Sequence, residues 1–124
     1  MQVGIDIQDI EPVARFIGTN KMERIFTKGE IEYIRKKANS PLTVAGMFCA
    51  KEAFFKALGT GLSVSKLLDV EIRHSNLGAP YYRLSGALIM ENRLSTATLM
   101  LSISHTKTTA VAVCIIVRKD LVIG

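Results

Sequence analysis

One segment limits the possible folds of this chain more than any other. Residues 41–58 read PLTVAGMFCAKEAFFKAL and lie between Ser40 and Gly59. Ser40 is a good helix cap and Pro41 suits a first helical turn, while Gly59 suits the left-handed residue that ends a helix. Val44, Phe48, Phe55 and Leu58 recur near three- and four-residue spacing, supported by Ala45, Ala53 and Phe54. Eighteen residues of α-helix span roughly 27 Å, the width of a small domain. Such a helix must be covered by the rest of the chain. A chain of 124 residues can supply one core and not two, so residues 1–124 are expected to form a single domain.

The flanking segments suggest what does the covering. Residues 2–7 carry Val3, Ile5 and Ile7 and read as a short strand whose end is polar, at Asp6, Gln8 and Asp9. Glu11-Pro12 opens a helix bearing Val13, Phe16 and Ile17, stopped by Gly18-Thr19-Asn20. Thr27-x-x-Glu30 is a capping box, followed by Ile31 and Ile34 as the buried stripe and by Arg35, Lys36 and Lys37 at the cationic end. The second half reads mainly as strands, at 67–74, 81–84, 98–104 with Leu99, Leu101 and Ile103 inward, and 108–118. Residues 76–80 are a turn and 87–94 a short helix, with His105-Thr106-Lys107 joining the last two strands. The expected class is α+β: an antiparallel sheet packed against a long central helix.

Composition excludes several classes. Hydrophobic residues make up 48% and charged residues 22%, so extended disorder is ruled out. The longest strictly apolar run is the eight residues Ala110 to Val117. A membrane span needs roughly 20, so none is expected. The N-terminus lacks a basic region followed by a long apolar stretch, so no secretory signal is expected. Cys49 and Cys114 are too few for a disulfide framework and read as reduced thiols in a cytoplasmic core. The net charge of +5 favours an anionic ligand or an acidic partner. Aromatic residues are only 6% with no Trp, a poor base-stacking platform, so nucleic acid is not the expected partner.

Several residues are candidates for chemistry. Glu52 lies among apolar neighbours, with Lys56 one turn on. It is either one half of a solvated Glu–Lys pair or a carboxylate held at a buried edge as metal ligand or base. Asp6 carries a similar choice, between a solvated strand end and one arm of a hard-oxygen site. Two carboxylates that converge suit Mg²⁺, which completes its shell with waters and substrate phosphates. His105, flanked by Ser104, Thr106 and Lys107, could cradle a phosphate. A Ser104–His105–Asp6 triad is disfavoured because Gly-x-Ser-x-Gly is absent. Gly59-Thr60-Gly61 is not a Walker loop and follows a helix C-terminus, so Lys56 would have to supply the charge for any anion there.

The blocks Gly4-Ile5-Asp6-Ile7, Phe26-Thr27-x-x-Glu30, residues 48–61 (FCAKEAFFKALGTG), Gly78-x-Pro80-Tyr81 and Ser102-Ile103-Ser104-His105-Thr106 occur in that order. Together they closely resemble the small bacterial 4′-phosphopantetheinyl transferases, the holo-[acyl-carrier-protein] synthase family, over nearly the whole chain. The resemblance implies transfer of phosphopantetheine from coenzyme A to a serine of an acidic acyl carrier protein, in support of fatty acid biosynthesis. It implies Mg²⁺ on Asp6 and Glu52, Lys56 at the coenzyme phosphates, and Gly59, Thr60, Gly61, His105 and Thr106 in the coenzyme pocket. Glu52, or a water held by the metal beside it, is the implied base. The carrier would meet Arg15, Lys21 and Arg24, and the chain would form a homotrimer with sites between subunits. Met47 departs from the family, which commonly has an arginine there near the coenzyme's 3′-phosphate. Two alternatives remain at this level: a broad-range relative acting on polyketide or peptide synthase carriers, and a non-catalytic module that binds the coenzyme or the carrier.

Overall fold

The computed structural model describes residues 1–61 and 64–119. The single unit expected over 1–124 therefore extends at residues 62–63 and 120–124 beyond those described. In chain order the elements are β1 (Gln2–Asp9), α1 (Ile10–Ala14), α2 (Lys21–Ile25), α3 (Lys28–Lys36), α4 (Pro41–Leu58), a 3-10 helix (Val64–Asp69), β2 (Val70–His74), β3 (Pro80–Leu84), α5 (Gly86–Glu91), β4 (Thr98–His105) and β5 (Thr109–Val117). The α+β class and the central helix are as expected.

The strands form two sheets. β1, β5 and β4 make a three-stranded antiparallel sheet in that order, and β2 and β3 a separate hairpin. The first strand thus pairs with the last, Asp6 opposite Ala112 and Gly4 opposite Cys114. The expected strand at 67–74 begins only at Val70, because Leu67 to Asp69 complete the 3-10 helix. The expected helix from Glu11 is only the five residues of α1, and Phe16 and Ile17 pack on the core from the turn that follows. The short α2 has no counterpart in the sequence reading.

α4 is buried on most of its circumference rather than along one stripe. Val44, Ala45, Met47, Cys49, Ala50, Ala53, Phe54, Phe55 and Ala57 are all buried, while Phe48 and Leu58 are only partly so. A helix apolar all round must be surrounded, and here the larger sheet, α1 and the β2–β3 hairpin do so. Its ends are as expected in part. Gly59 is left-handed at φ 78° and closes the helix. Pro41 occupies the first turn, but the Ser40 side chain makes no capping bond.

The side-chain alternation of β1 is inverted from the usual sense. Val3, Ile5 and Ile7 point away from the core, at 56%, 58% and 66% exposure. Gly4, Asp6 and Gln8 face α4. A side chain at position 4 would press into the backbone carbonyl of Ala53 and the amide of Ala57. Only glycine lets the strand lie this close to the helix. On the outer face of the same sheet Val111, Val113, Ile115 and Val117 of β5 are half-buried and Met100 of β4 is exposed. Leu99, Leu101 and Ile103 pack inward as expected.

A fully buried ion pair fixes α4 in place. Lys51 Nζ lies 2.7 Å from Glu30 Oε1 and donates to the carbonyls of Ile25 and Leu67, each at 2.8 Å. Glu30 completes the expected capping box with the Thr27 amide and also accepts the Ile72 amide at 2.8 Å. Burial raises the Glu30 carboxyl and lowers the Lys51 ammonium from their ordinary values, and their mutual attraction opposes both shifts. An isolated buried charge would be untenable, but here every charged atom has partners.

Candidate active site

Asp6 and Glu52 meet. Asp6 is buried on the inner face of β1, and Glu52 is half-buried on the facing side of α4. Asp6 Oδ1 accepts a hydrogen bond from Lys56 Nζ at 2.8 Å. Asp6 Oδ2 accepts one from Gln8 Nε2 at 2.9 Å, and the same amide reaches Glu52 Oε2 at 3.4 Å. The cluster follows from two periodicities. Residues 6 and 8 share one face of a strand, and residues 52 and 56 share one face of a helix. The close approach of β1 at Gly4 brings these faces together.

The electrostatics are those of an anionic pair with one cation. Burial, then repulsion from Asp6, raises the Glu52 carboxyl above the ordinary carboxylate value. The Asp6 hydrogen bond raises the Lys56 ammonium. The Lys56 side chain is 53% exposed, so it remains open to a further anion while holding Asp6. The solvated Glu52–Lys56 pair weighed in the sequence is not the ion pair that forms; Lys56 pairs with Asp6. Cys49 lies beside the cluster, and burial followed by the Asp6 charge pushes its thiol up to about 12. It is therefore a neutral thiol and no nucleophile.

Two crowded carboxylates are hard oxygen donors suited to Mg²⁺. Among the described residues no group of three or more His, Cys, Asp and Glu side chains could hold a metal. A two-carboxylate site is consistent with that, because Mg²⁺ commonly takes only one or two from the protein.

The other expected residues lie elsewhere on this chain. His105 ends β4 and lines a cleft of about 200 Å³ with Thr43, Met47, His74 and Pro80. Thr106 spends its hydroxyl on the β4–β5 turn, accepting from the amides of Thr108 and Thr109 at 3.2 and 3.1 Å. Thr60 and Gly61 line a smaller cleft of about 110 Å³ with Lys66 and Asn92. Gly59 caps α4 beside it. Among the described residues His105 and the Thr60–Gly61 pair line separate clefts. Met47 is buried, and the basic side chains described in its cleft are the imidazoles of His74 and His105. Arg15, Lys21 and Arg24 do gather, around a groove of about 520 Å³ that also holds Phe16, with Lys21 Nζ 5.9 Å from the Phe16 ring centre.

The sequence reading missed Gln8 as a member of the cluster, noting it only as part of a polar strand end. Its spacing from Asp6 was the available signal. It also missed Lys51 as a buried charge.

The model of the 4′-phosphopantetheinyl transferase superfamily matches residues 2–114, and the chain belongs to this superfamily. The holo-[acyl-carrier-protein] synthase of Alkaliphilus oremlandii is 42% identical over 113 residues, covering 89% of this chain and 93% of that protein. That of Fusobacterium nucleatum is 39% identical over 117 residues, covering 92% and 96%. A holo-(acyl-carrier-protein) synthase from Bacillus anthracis, solved in complex with CoA (3′,5′-ADP), superposes with a TM-score of 0.79 at 32% identity, covering 95% of this chain and 96% of that one. The Helicobacter pylori enzyme, in complex with coenzyme A, gives a TM-score of 0.79 at 32% identity, covering 93% and 99%.

Proposed function

We propose that this chain acts as a holo-[acyl-carrier-protein] synthase: it transfers 4′-phosphopantetheine from coenzyme A to a serine of an apo acyl carrier protein. The observation that carries the mechanism is the convergence of Asp6, Glu52 and Lys56 from two separate elements. Family membership supplies the reaction class.

In the reaction the serine oxygen forms a bond to the β-phosphorus of the pyrophosphate. The bond from that phosphorus to the bridging oxygen breaks, and adenosine 3′,5′-bisphosphate leaves with the electron pair. Such a transfer asks the protein chiefly for alignment and charge neutralisation. Asp6 and Glu52 would hold Mg²⁺, which when bound neutralises the diphosphate and draws electrons from the phosphorus. Lys56, anchored through Asp6 yet open to solvent, offers its ammonium to the same phosphates. Glu52, or a water beside it, is our candidate to take the serine proton, from its place against Asp6 and Lys56.

Gly59, Thr60, Gly61, His105 and Thr106 are proposed to line the coenzyme pocket, with His105 in the cleft beside Met47. Their separation within one chain supports a site completed between subunits. The outer face of the larger sheet, bearing Val3, Ile5, Ile7, Val113 and Ile115, supports a homotrimer that covers it. Arg15, Lys21 and Arg24 are the proposed docking face for the carrier, whose acidic surface the net charge of +5 would attract. A cytoplasmic setting is also proposed, since both cysteines are buried and unpaired. Among the described residues no helix is long and apolar enough to cross a membrane.

Mass spectrometry of an apo carrier incubated with coenzyme A, Mg²⁺ and the protein tests the activity. The carrier should gain one phosphopantetheine, and Glu52→Gln should slow this by at least about a hundredfold with the fold retained. An unmodified carrier would contradict the function, and a fully active Glu52→Gln would contradict the site. Arg15→Glu should raise KM for the carrier several-fold and leave KM for coenzyme A unchanged; equal effects on both would place Arg15 outside the docking face. Sedimentation equilibrium should report three copies, and a monomer at micromolar concentration would refute the trimer.

A further inference from the structure

Gln8 has a position that the proposed reaction does not yet use. It is the next inward residue after Asp6 on β1, and its terminal amide lies between the two carboxylates. It is a neutral side chain whose hydrogen bonds join both of them. Asp6 is otherwise committed: one oxygen takes the Lys56 ammonium and the other takes Gln8. A divalent ion held jointly by Asp6 and Glu52 must therefore share its surroundings with this amide.

An amide has two ends of nearly equal size and opposite polarity. Its N–H₂ end suits two carboxylates facing each other, because it relieves their repulsion. The same end is repelled by a dication. Rotation of half a turn about the last side-chain bond replaces the N–H₂ with the carbonyl oxygen and needs no backbone movement. Carbonyl oxygens of Asn and Gln are ordinary hard-cation ligands. We propose that Gln8 is the third protein ligand of the cation site, its amide turning from donor toward the carboxylates to oxygen donor toward the ion. The inference rests on the cation site proposed above.

Charge explains why an amide serves here better than a third carboxylate. Asp6, Glu52 and Lys56 together carry one negative charge. A bound dication turns that to one positive charge, which attracts a diphosphate. A carboxylate at position 8 would cancel it. Gln8 adds an oxygen without changing this balance, and the remaining positions of an octahedral ion stay open to water and phosphate.

Two readouts independent of turnover test the proposal. The first follows free Mn²⁺ by electron paramagnetic resonance as the protein is titrated. Wild type should bind one ion, Gln8→Leu should bind about tenfold more weakly, and Gln8→Glu should bind at least as tightly as wild type. The second follows the Gln8 side-chain amide of the unaltered protein by ¹H–¹⁵N NMR during Mg²⁺ addition. Its two proton signals should shift with the same saturation as the binding curve. If Glu52→Gln loses Mn²⁺ while Gln8→Leu binds like wild type, or if the Gln8 amide signals stay fixed as Mg²⁺ saturates the site, Gln8 is no ligand and the two-carboxylate site stands. If Glu52→Gln binds Mn²⁺ like wild type, the site itself is wrong and the inference falls with it.

Discussion

The structure depends on one close contact, the laying of β1 directly against α4. It is possible because Gly4 has no side chain to collide with the Ala53 carbonyl and the Ala57 amide. Small residues on the helix complete the fit. The same contact sets the distance between Asp6 on the strand and Glu52 and Lys56 on the helix. A larger residue at position 4 would push the strand outward, and the acidic pair would separate. Packing and chemistry therefore share one constraint, and the glycine two residues before the aspartate is as much a part of the site as the charges are.

A second constraint acts on an adjoining face of α4. Lys51 immediately precedes Glu52, and about 100° of helix separates them. Lys51 is held in the core by Glu30 and by the carbonyls of Ile25 and Leu67, so the helix cannot roll without breaking a buried ion pair. Loss of one partner of such a pair costs about 3–5 kcal/mol. The network therefore fixes the rotation that turns Glu52 toward Asp6. It also ties the end of α2, which carries Lys21 and Arg24 of the proposed docking face, to the residue beside the acidic pair.

Much of this was legible in the residues. Pro41, Gly59 and the apolar run between them defined α4, and the Thr27–Glu30 box formed as its chemistry suggests. Other features were hidden for physical reasons. A lysine in a helix reads as solvated, and Lys51 is buried only because Glu30, distant in sequence, meets it. Val3, Ile5 and Ile7 look like an inward stripe, yet they face outward because the inner side is taken by Gly4, Asp6 and Gln8. Glu52 and Lys56 have the spacing of an ordinary helical pair, and only the arrival of β1 redirects Lys56 to Asp6. The meeting of Asp6 with Glu52 was suggested by family likeness and not by spacing, since nothing local to either residue points to the other. Gln8 carries no charge and so left no signal beyond its place two residues along the strand.

The proposed site centres on a divalent ion gripped by side chains from β1 and α4. Anomalous diffraction from crystals grown with Mn²⁺ and coenzyme A reads this directly. A single strong peak within bonding distance of both an Asp6 and a Glu52 carboxylate oxygen, touching the pyrophosphate, is the expected result. A peak bound to other residues, with Asp6 still engaged only by Lys56 and Gln8 while the coenzyme is in place, would contradict it.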